Sequence, residues 1–113
     1  MKLLTEARLL RIFIGESDKF EGRPLYQAIV ERARLRELAG ATVLRGYLGF
    51  GANSRIHSAR ILRLSEDLPM VIEIVDEPER ISAFVAELDG MIGEGLVTLE
   101  KVEVLIYRRG HTG

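Results

Sequence analysis

The chain has 113 residues and no cysteine, and its 16 basic and 17 acidic residues leave a formal net charge of −1. This length suits a single domain, 1–113, and the lack of cysteine excludes disulfides, thiolate metal sites and a cysteine nucleophile. No apolar run approaches the roughly eighteen residues that a membrane span needs, and the N-terminus is too charged for a secretory signal peptide. We expect a cytoplasmic globular protein without membrane insertion.

Three segments favour strands, and a helix lies between the first two. Residues 8–15 form a short apolar run with Ile and Phe that ends at glycine, which is typical of a strand. Pro24 precedes apolar residues at near-helical spacing, so a helix is expected to start there and to stop at Gly40. Residues 41–48 and 69–75 are the second and third predicted strands.

A second helix and a fourth strand complete the pattern. Asp76 with Glu79 three residues later is typical of a capping box. The apolar stripe that follows is the clearest helical pattern in the chain: Ile81, Phe84, Val85, Leu88 and Ile92. Gly93 and Gly95 are expected to end this helix, and residues 96–107 are predicted to form a long last strand.

The order βαββαβ predicts an α+β, ferredoxin-like fold with a four-stranded antiparallel sheet and two helices on one face. The first, third and last strands carry apolar residues at both parities. Two helices cover only one face of a sheet, and a bare apolar face would exceed what soluble monomers usually expose. We therefore expect a homo-oligomer in which sheets pack against one another.

Residues 38–65 contain no Asp or Glu, so a segment of about +4 is set against a remainder of about −5. Its cationic side chains are Arg45, Arg55, His57, Arg60 and Arg63. Within it, residues 49–65 form a long connection without clear periodicity, and such loops are usually functional or flexible. Glycines allow close backbone approach and arginines bind phosphate, although the same arginines could instead pair with carboxylates of a neighbouring subunit.

Two more groups of residues are candidates for an anion site. Gly93 and Gly95 follow the second helix, and Arg108 and Arg109 follow the last strand. Within one ferredoxin-like chain these groups need not be neighbours, but an oligomer interface could bring them together. A helix stop and a solvated tail are the simpler explanations of the same residues.

Other chemistry finds little support in the sequence. With only two histidines, His57 and His111, a dedicated zinc site is not expected. Ser54 and Ser58 flank His57, but no carboxylate lies near it in sequence, so we predict no catalytic residues and no metal site. Residues 45–50 superficially match an aromatic RNA-binding motif, but they fall on the second strand instead of the third, and the pI is near 6.1. Nucleic acid is therefore not an expected partner.

Three segments carry a family resemblance: LLRIFIGESDKFEGRPLY from Leu9, AGATVLRGYLGFGANSRIH from Ala39 and LRLSEDLPMVIEIVDEPERI from Leu62. Over residues 9–107 the chain resembles the PII-like family long catalogued as a domain of unknown function. More distantly it is similar to PII nitrogen-regulatory signalling proteins, whose flexible T-loop joins the second and third strands as residues 49–65 would here. The resemblance departs from PII in two places: Leu96 replaces a lysine, and residues 50–64 contain no tyrosine for uridylylation.

The resemblance implies a PII-like homotrimer that binds an adenine nucleotide, ATP, ADP or AMP, in clefts between subunits. Together with the cationic segment, it defines these candidate ligand-binding residues: Arg45, Gly46, Gly49, Gly51, Asn53, Arg55, His57, Gly93, Gly95, Arg108 and Arg109. The expected function is a non-enzymatic sensor that requires no cofactor and relays a phosphorylated ligand to an unidentified regulatory protein through the basic loop. The alternatives are a small phosphate-handling enzyme and a structural trimer without ligand.

Overall fold

A computed structural model describes residues 6–51, 67–108 and 110. The elements are β1 (Glu6–Gly15), β2 (Lys19–Phe20), β3 (Arg23–Pro24), α1 (Leu25–Leu35), β4 (Thr42–Arg45), β5 (Pro69–Asp76), α2 (Pro78–Leu88) and β6 (Leu96–Glu103). Four strands form an antiparallel sheet in the order β4-β5-β1-β6, which confirms the predicted ferredoxin-like topology. None of the helices in this part of the chain is long and apolar enough to cross a bilayer.

A small ribbon between β1 and α1 was not predicted. β2 pairs with β3, with Lys19 opposite Pro24 and Phe20 opposite Arg23. The two residues of the turn, Glu21 and Gly22, have φ values of +50° and +79°. Positive φ at both central positions is the geometry of the tight hairpin turn that matches strand twist.

One face of the sheet packs against both helices, as predicted. The alternate side chains of β1 and β5 that point to this face are buried together with the apolar stripes of the helices. The buried cluster consists of Leu10, Ile12, Ile14, Leu25, Ala28, Ile29, Ala33, Met70, Ile72, Ile74, Ile81, Phe84, Leu88 and Met91. Burial of about fifteen apolar side chains at roughly 1.5–3 kcal/mol each is the main force that holds the layers together.

α1 ends at Leu35, so the predicted stop at Gly40 is wrong. Glu37 takes the left-handed conformation, with φ +58°, and its N–H donates to the Arg34 carbonyl at 3.0 Å. The Leu38 N–H donates to the Ala33 carbonyl at 3.1 Å, which completes a Schellman motif with Glu37 in the place usually taken by glycine. A tertiary contact compensates for this: the Arg80 guanidinium on α2 donates to the carbonyls of residues 36 and 37.

The predicted capping box at the start of α2 is also wrong. The N-cap is Glu77, no side chain caps the helix, and Pro78 occupies the first turn. Asp76 instead ends β5 and is completely buried. Its carboxylate accepts hydrogen bonds from the backbone N–H groups of Glu77 at 2.6 Å and Ala39 at 2.8 Å, and it lies 3.2 Å from the Arg80 Nε. Asp76 therefore joins β5, α2 and the segment before β4.

Three other elements end three or more residues before the predicted position. β4 stops at Arg45 instead of residue 48, since its partner β5 begins at Pro69, which has no N–H to continue the ladder. α2 stops at Leu88, before Gly93, although Ile92 still packs on the core. β6 stops at Glu103, which pairs with the first residue of β1, so residues 104–107 are not in the sheet.

The sheet face that the helices leave uncovered, here called the open face, is less apolar than predicted. Its side chains are Leu9, Arg11 and Phe13 of β1, Thr42 and Leu44 of β4, Val71, Glu73 and Val75 of β5, and Leu96, Thr98 and Glu100 of β6. Arg11 donates to Glu73 at 2.8 Å and to Glu100 at 2.6 Å, so a charged row crosses three strands. The apolar residues lie on both sides of this row, and Leu44 and Leu96 are about half exposed.

Candidate functional site

Two of the predicted glycine groups lie at the same end of the sheet, here called the loop end. β1 and β4 end there at Gly15 and Arg45, and β5 and β6 begin there at Pro69 and Leu96. The glycines that follow Arg45 are on the β4 edge, and the glycines that precede Leu96 are on the β6 edge. Three strand spacings separate the two edges, about 14 Å, because β5 and β1 lie between them.

On the β4 edge, the chain leaves the sheet by passing closely over Pro69. The Gly46 N–H donates to the Pro69 carbonyl at 2.6 Å. A Cβ on Gly46 would lie 2.5 Å from the Pro69 Cγ, and one on Gly49 would lie 3.2 Å from the same atom. Gly46 therefore requires glycine for packing, a Cβ on Gly49 would make only a tight contact with the Pro69 ring, and a Cβ on the exposed Gly51 would meet open space.

Arg45 reaches across β5 toward the end of β1. Its Nη2 donates to the Glu16 Oε1 at 3.1 Å, and its side chain is 55% exposed. The guanidinium is a planar donor fork suited to carboxylate or phosphate oxygens. In the structure, one nitrogen of that fork, Nη2, donates to the Glu16 carboxylate.

The turn that carries Glu16 was not predicted from the sequence. The Glu16 N–H donates to the Leu68 carbonyl at 2.8 Å, and the Gly15 N–H donates to the Asp18 carboxylate at 2.9 Å. The Ser17 N–H and Oγ both donate to the Asp67 Oδ1, at 3.0 and 2.7 Å. The polar run that follows Gly15 was the one available signal, but nothing in the sequence indicated that it would bond to residues just before β5.

On the β6 edge, Gly95 lies against β1. A Cβ there would be 2.8 Å from the Phe13 carbonyl oxygen and 3.1 Å from the Ile14 Cγ2, so only glycine fits. Gly93 differs, because a Cβ at that position would have no heavy atom within 4 Å. Gly95 thus has a packing role, and Gly93 is the more open of the two glycines.

Arg108 lies at the opposite end of the sheet. β6 runs away from the loop end, and the Tyr107 hydroxyl then donates to the Ala39 carbonyl at 3.2 Å, just before β4 begins. With eight residues in β6, the two ends are about 25 Å apart. One chain therefore brings two of the three predicted groups of candidate residues to a common end of the sheet and leaves Arg108, of the third group, at the other end. Asn53, Arg55, His57 and Arg109 fall outside the described residues.

A groove of about 330 Å³ lies near Tyr107 on the open face. The sequence analysis did not predict it, because its walls come from four separate parts of the chain. They are formed by Leu9, Ala39, Gly40, Ala41, Thr42, Glu73, Val75, Val104, Ile106 and Tyr107. The lining is mainly apolar, with the Glu73 carboxylate as its charged group.

The fold is similar to that of solved PII-like proteins. A structure of CPII from Thiomonas intermedia K12, bound to ADP, AMP and acetate, superposes with a TM-score of 0.59 at 13% identity and covers 92% of each chain. A second structure, described as CPII, a nitrogen regulatory PII-like protein bound to ADP, AMP and bicarbonate, gives a TM-score of 0.58 at 15% identity over 91% of each chain. At this level of identity the likeness concerns the fold.

Relatives found by sequence comparison have a higher identity to this chain than the solved structures do. A UPF0166 protein of Aquifex aeolicus (strain VF5) is 44% identical over 102 residues, which cover 90% of this chain and 96% of the relative. A UPF0166 protein of Methanocaldococcus jannaschii is 34% identical over 102 residues, or 89% and 94% of the two chains. The model of the DUF190 family, described as "Uncharacterized ACR", matches residues 7–104. The matched length and these identities establish that the chain belongs to the DUF190 family.

Proposed function

We propose that this chain is a non-enzymatic PII-like sensor that binds an adenine nucleotide, ATP, ADP or AMP, between the subunits of a homotrimer. The observation that carries the proposal is the placement of the candidate residues. Gly46 and Gly49 share the loop end with Gly93 and Gly95, while Arg108 lies at the far end of the same chain. A second copy of the chain can place its Arg108 beside the loop end of the first copy.

The open face supports association between copies. It exposes apolar side chains on both sides of a charged row, and further large apolar side chains are exposed at the two sheet edges and in the C-terminal segment. They are Tyr47, Leu48, Phe50, Val97, Leu99, Leu105, Ile106 and Tyr107. Surfaces of this kind normally mark protein interfaces.

The chemistry at the loop end fits a phosphorylated ligand. Arg45 is well exposed and offers a donor fork, and the open space beside Gly93 allows a ligand to approach the main chain there. Each charge-assisted hydrogen bond to a phosphate contributes about 1.5–3 kcal/mol, so a few of them reach micromolar affinity. CPII, which shares the fold, is a protein solved with ADP and AMP.

The basic loop at residues 49–65 would transmit ligand binding to a protein partner. Most of this loop lies outside the described residues. In the proposed mechanism, the nucleotide binds one loop arrangement more tightly than the others and shifts the population toward it. A regulatory protein partner would recognise that arrangement. The residues proposed to contact the ligand from the loop are Asn53, Arg55 and His57.

Calorimetry with ATP, ADP and AMP tests the proposal. We expect at least one nucleotide to bind, and we expect Arg55→Ala or Arg108→Ala to weaken it about tenfold, or about 1.4 kcal/mol. Arg34→Ala is the control, because Arg34 is an exposed arginine of α1 on the helical side. The absence of heat with all three nucleotides would favour a structural trimer, and phosphate release on prolonged incubation would favour an enzyme.

A further inference from the structure

The ion pair between Arg45 and Glu16 has a geometry that bears on ligand binding. The two residues follow strands that are not neighbours, since β5 lies between β4 and β1. The Arg45 side chain must cross the start of β5 to bring its Nη2 within 3.1 Å of the Glu16 carboxylate. The pair therefore lies across the loop end, beside the backbone of Gly46.

The two partners are not equally constrained. Glu16 belongs to a turn that is fixed by its own N–H bond to Leu68, and Ser17 beside it makes two bonds to Asp67. The Glu16 side chain is 30% exposed, whereas the Arg45 side chain is 55% exposed. The backbone that carries Glu16 is thus held in place, and the guanidinium is the partner with more freedom to face solvent.

We propose that Glu16 is an affinity-determining residue of the anion site, because its carboxylate occupies a position on Arg45 that a ligand phosphate would take. This inference rests on the proposed function. A phosphate that binds Arg45 must displace the carboxylate and then lie close to a second negative charge. Glu16 consequently lowers the affinity for phosphorylated ligands and leaves the affinity for an uncharged nucleoside unaffected.

The test compares the wild type with Glu16→Gln by calorimetry against ATP, ADP, AMP and adenosine. Exposed ion pairs are weak, so the expected gain in affinity is about twofold to fivefold for the phosphorylated ligands. Adenosine should bind equally to both proteins. The gain should shrink at high salt, since screening weakens interactions between exposed charges.

Two further variants separate a local effect from a general one. Glu21→Gln removes the same charge from the exposed tip of the β2–β3 hairpin and should change each affinity much less. In the Arg45→Ala background, Glu16→Gln should raise affinities less than it does in the wild type, because competition for Arg45 is absent and only the repulsion between Glu16 and the phosphate is relieved. Thermal unfolding of every variant shows whether it is folded.

The outcomes distinguish this inference from the function on which it rests. If the wild type binds a nucleotide and Glu16→Gln leaves the affinity unchanged or lowers it, the role of Glu16 is refuted and the sensor proposal stands. Equal gains from Glu16→Gln and Glu21→Gln would likewise refute it. If neither the wild type nor Glu16→Gln binds any of the four compounds, both proposals fail.

Discussion

Two close packing contacts, at Gly46 and Gly95, constrain the path of the chain at the loop end. Gly46 and Gly95 each face a neighbour so closely that a methyl group would overlap with it, in one case the Pro69 ring and in the other the Phe13 carbonyl. Protein interiors are close-packed, so such overlaps must be relieved by moving backbone. These two glycines hold the edge strands in position beside the candidate site, whatever ligand binds there.

Substitutions of Gly93 and Gly95, the glycine pair before β6, test this packing role. Gly95→Ala places a methyl group 2.8 Å from the Phe13 carbonyl oxygen and should lower the free energy of unfolding by about 1–3 kcal/mol. Gly93→Ala is the control, since its methyl group meets open space, and we expect a change within about 0.5 kcal/mol. Urea unfolding measures both, and equal losses would contradict the packing role assigned to Gly95.

Elements are joined by charged side chains as well as by the apolar core. Glu87 on α2 accepts hydrogen bonds from Arg32 at 2.9 Å and from Arg36 at 2.5 and 2.7 Å, so one carboxylate links the last turns of both helices. Arg80 adds a second link by donating to the C-terminal carbonyls of α1. The two helices are thereby fixed to each other as well as to the sheet.

This helix contact predicts a dependence of stability on pH. Hydrogen bonds from Arg36, and then from Arg32, lower the pKa of Glu87 from 4.5 to about 2. The stabilisation is therefore complete above the unfolded-state pKa, near 4.5, and is lost as the pH falls toward 2. Glu87→Gln should be less stable than the wild type at pH 7, and the difference should shrink between pH 4.5 and 2.

Urea unfolding at several pH values measures that difference. Glu21→Gln serves as the control, because it removes a carboxylate from the exposed hairpin turn and leaves the helix contact intact. A difference between Glu87→Gln and the wild type that stays constant from pH 7 to pH 2 would show that the arginine contacts do not depend on the charge of Glu87.

The helices cover one face of the sheet and leave the open face to solvent or to another chain. The row formed by Glu73, Arg11 and Glu100 is polar, and the side chains around it are apolar. Hydrogen bonding to Glu73 is the main influence that raises the pKa of Arg11 above its ordinary value, so the guanidinium stays charged. Such a surface suits contact with a second copy, in which apolar side chains associate and charged ones set the register.

Sedimentation tests this association. We expect the wild type to sediment as a trimer of the 12.7 kDa chain, about 38 kDa. Leu96→Glu places a charge on the open face and should dissociate the trimer, whereas Leu35→Glu changes an exposed leucine of α1 on the helical side and should not. A wild type that sediments as a monomer at micromolar concentration would remove the basis for a site between subunits.

The sequence predicted the order of the two helices and of the four strands of the main sheet, and the two-layer class, because the periodicity of apolar residues depends on neighbours only a few positions away. It did not predict where α1 stops, what Asp76 binds, or that Glu16 meets Arg45. The decisive contacts join residues far apart in the sequence: Arg45 and Glu16 are 29 positions apart, and Asp76 and Ala39 are 37 positions apart. Local pattern carries no information about which cation meets which carboxylate, so only the folded chain could decide which candidate residues share an end of the sheet.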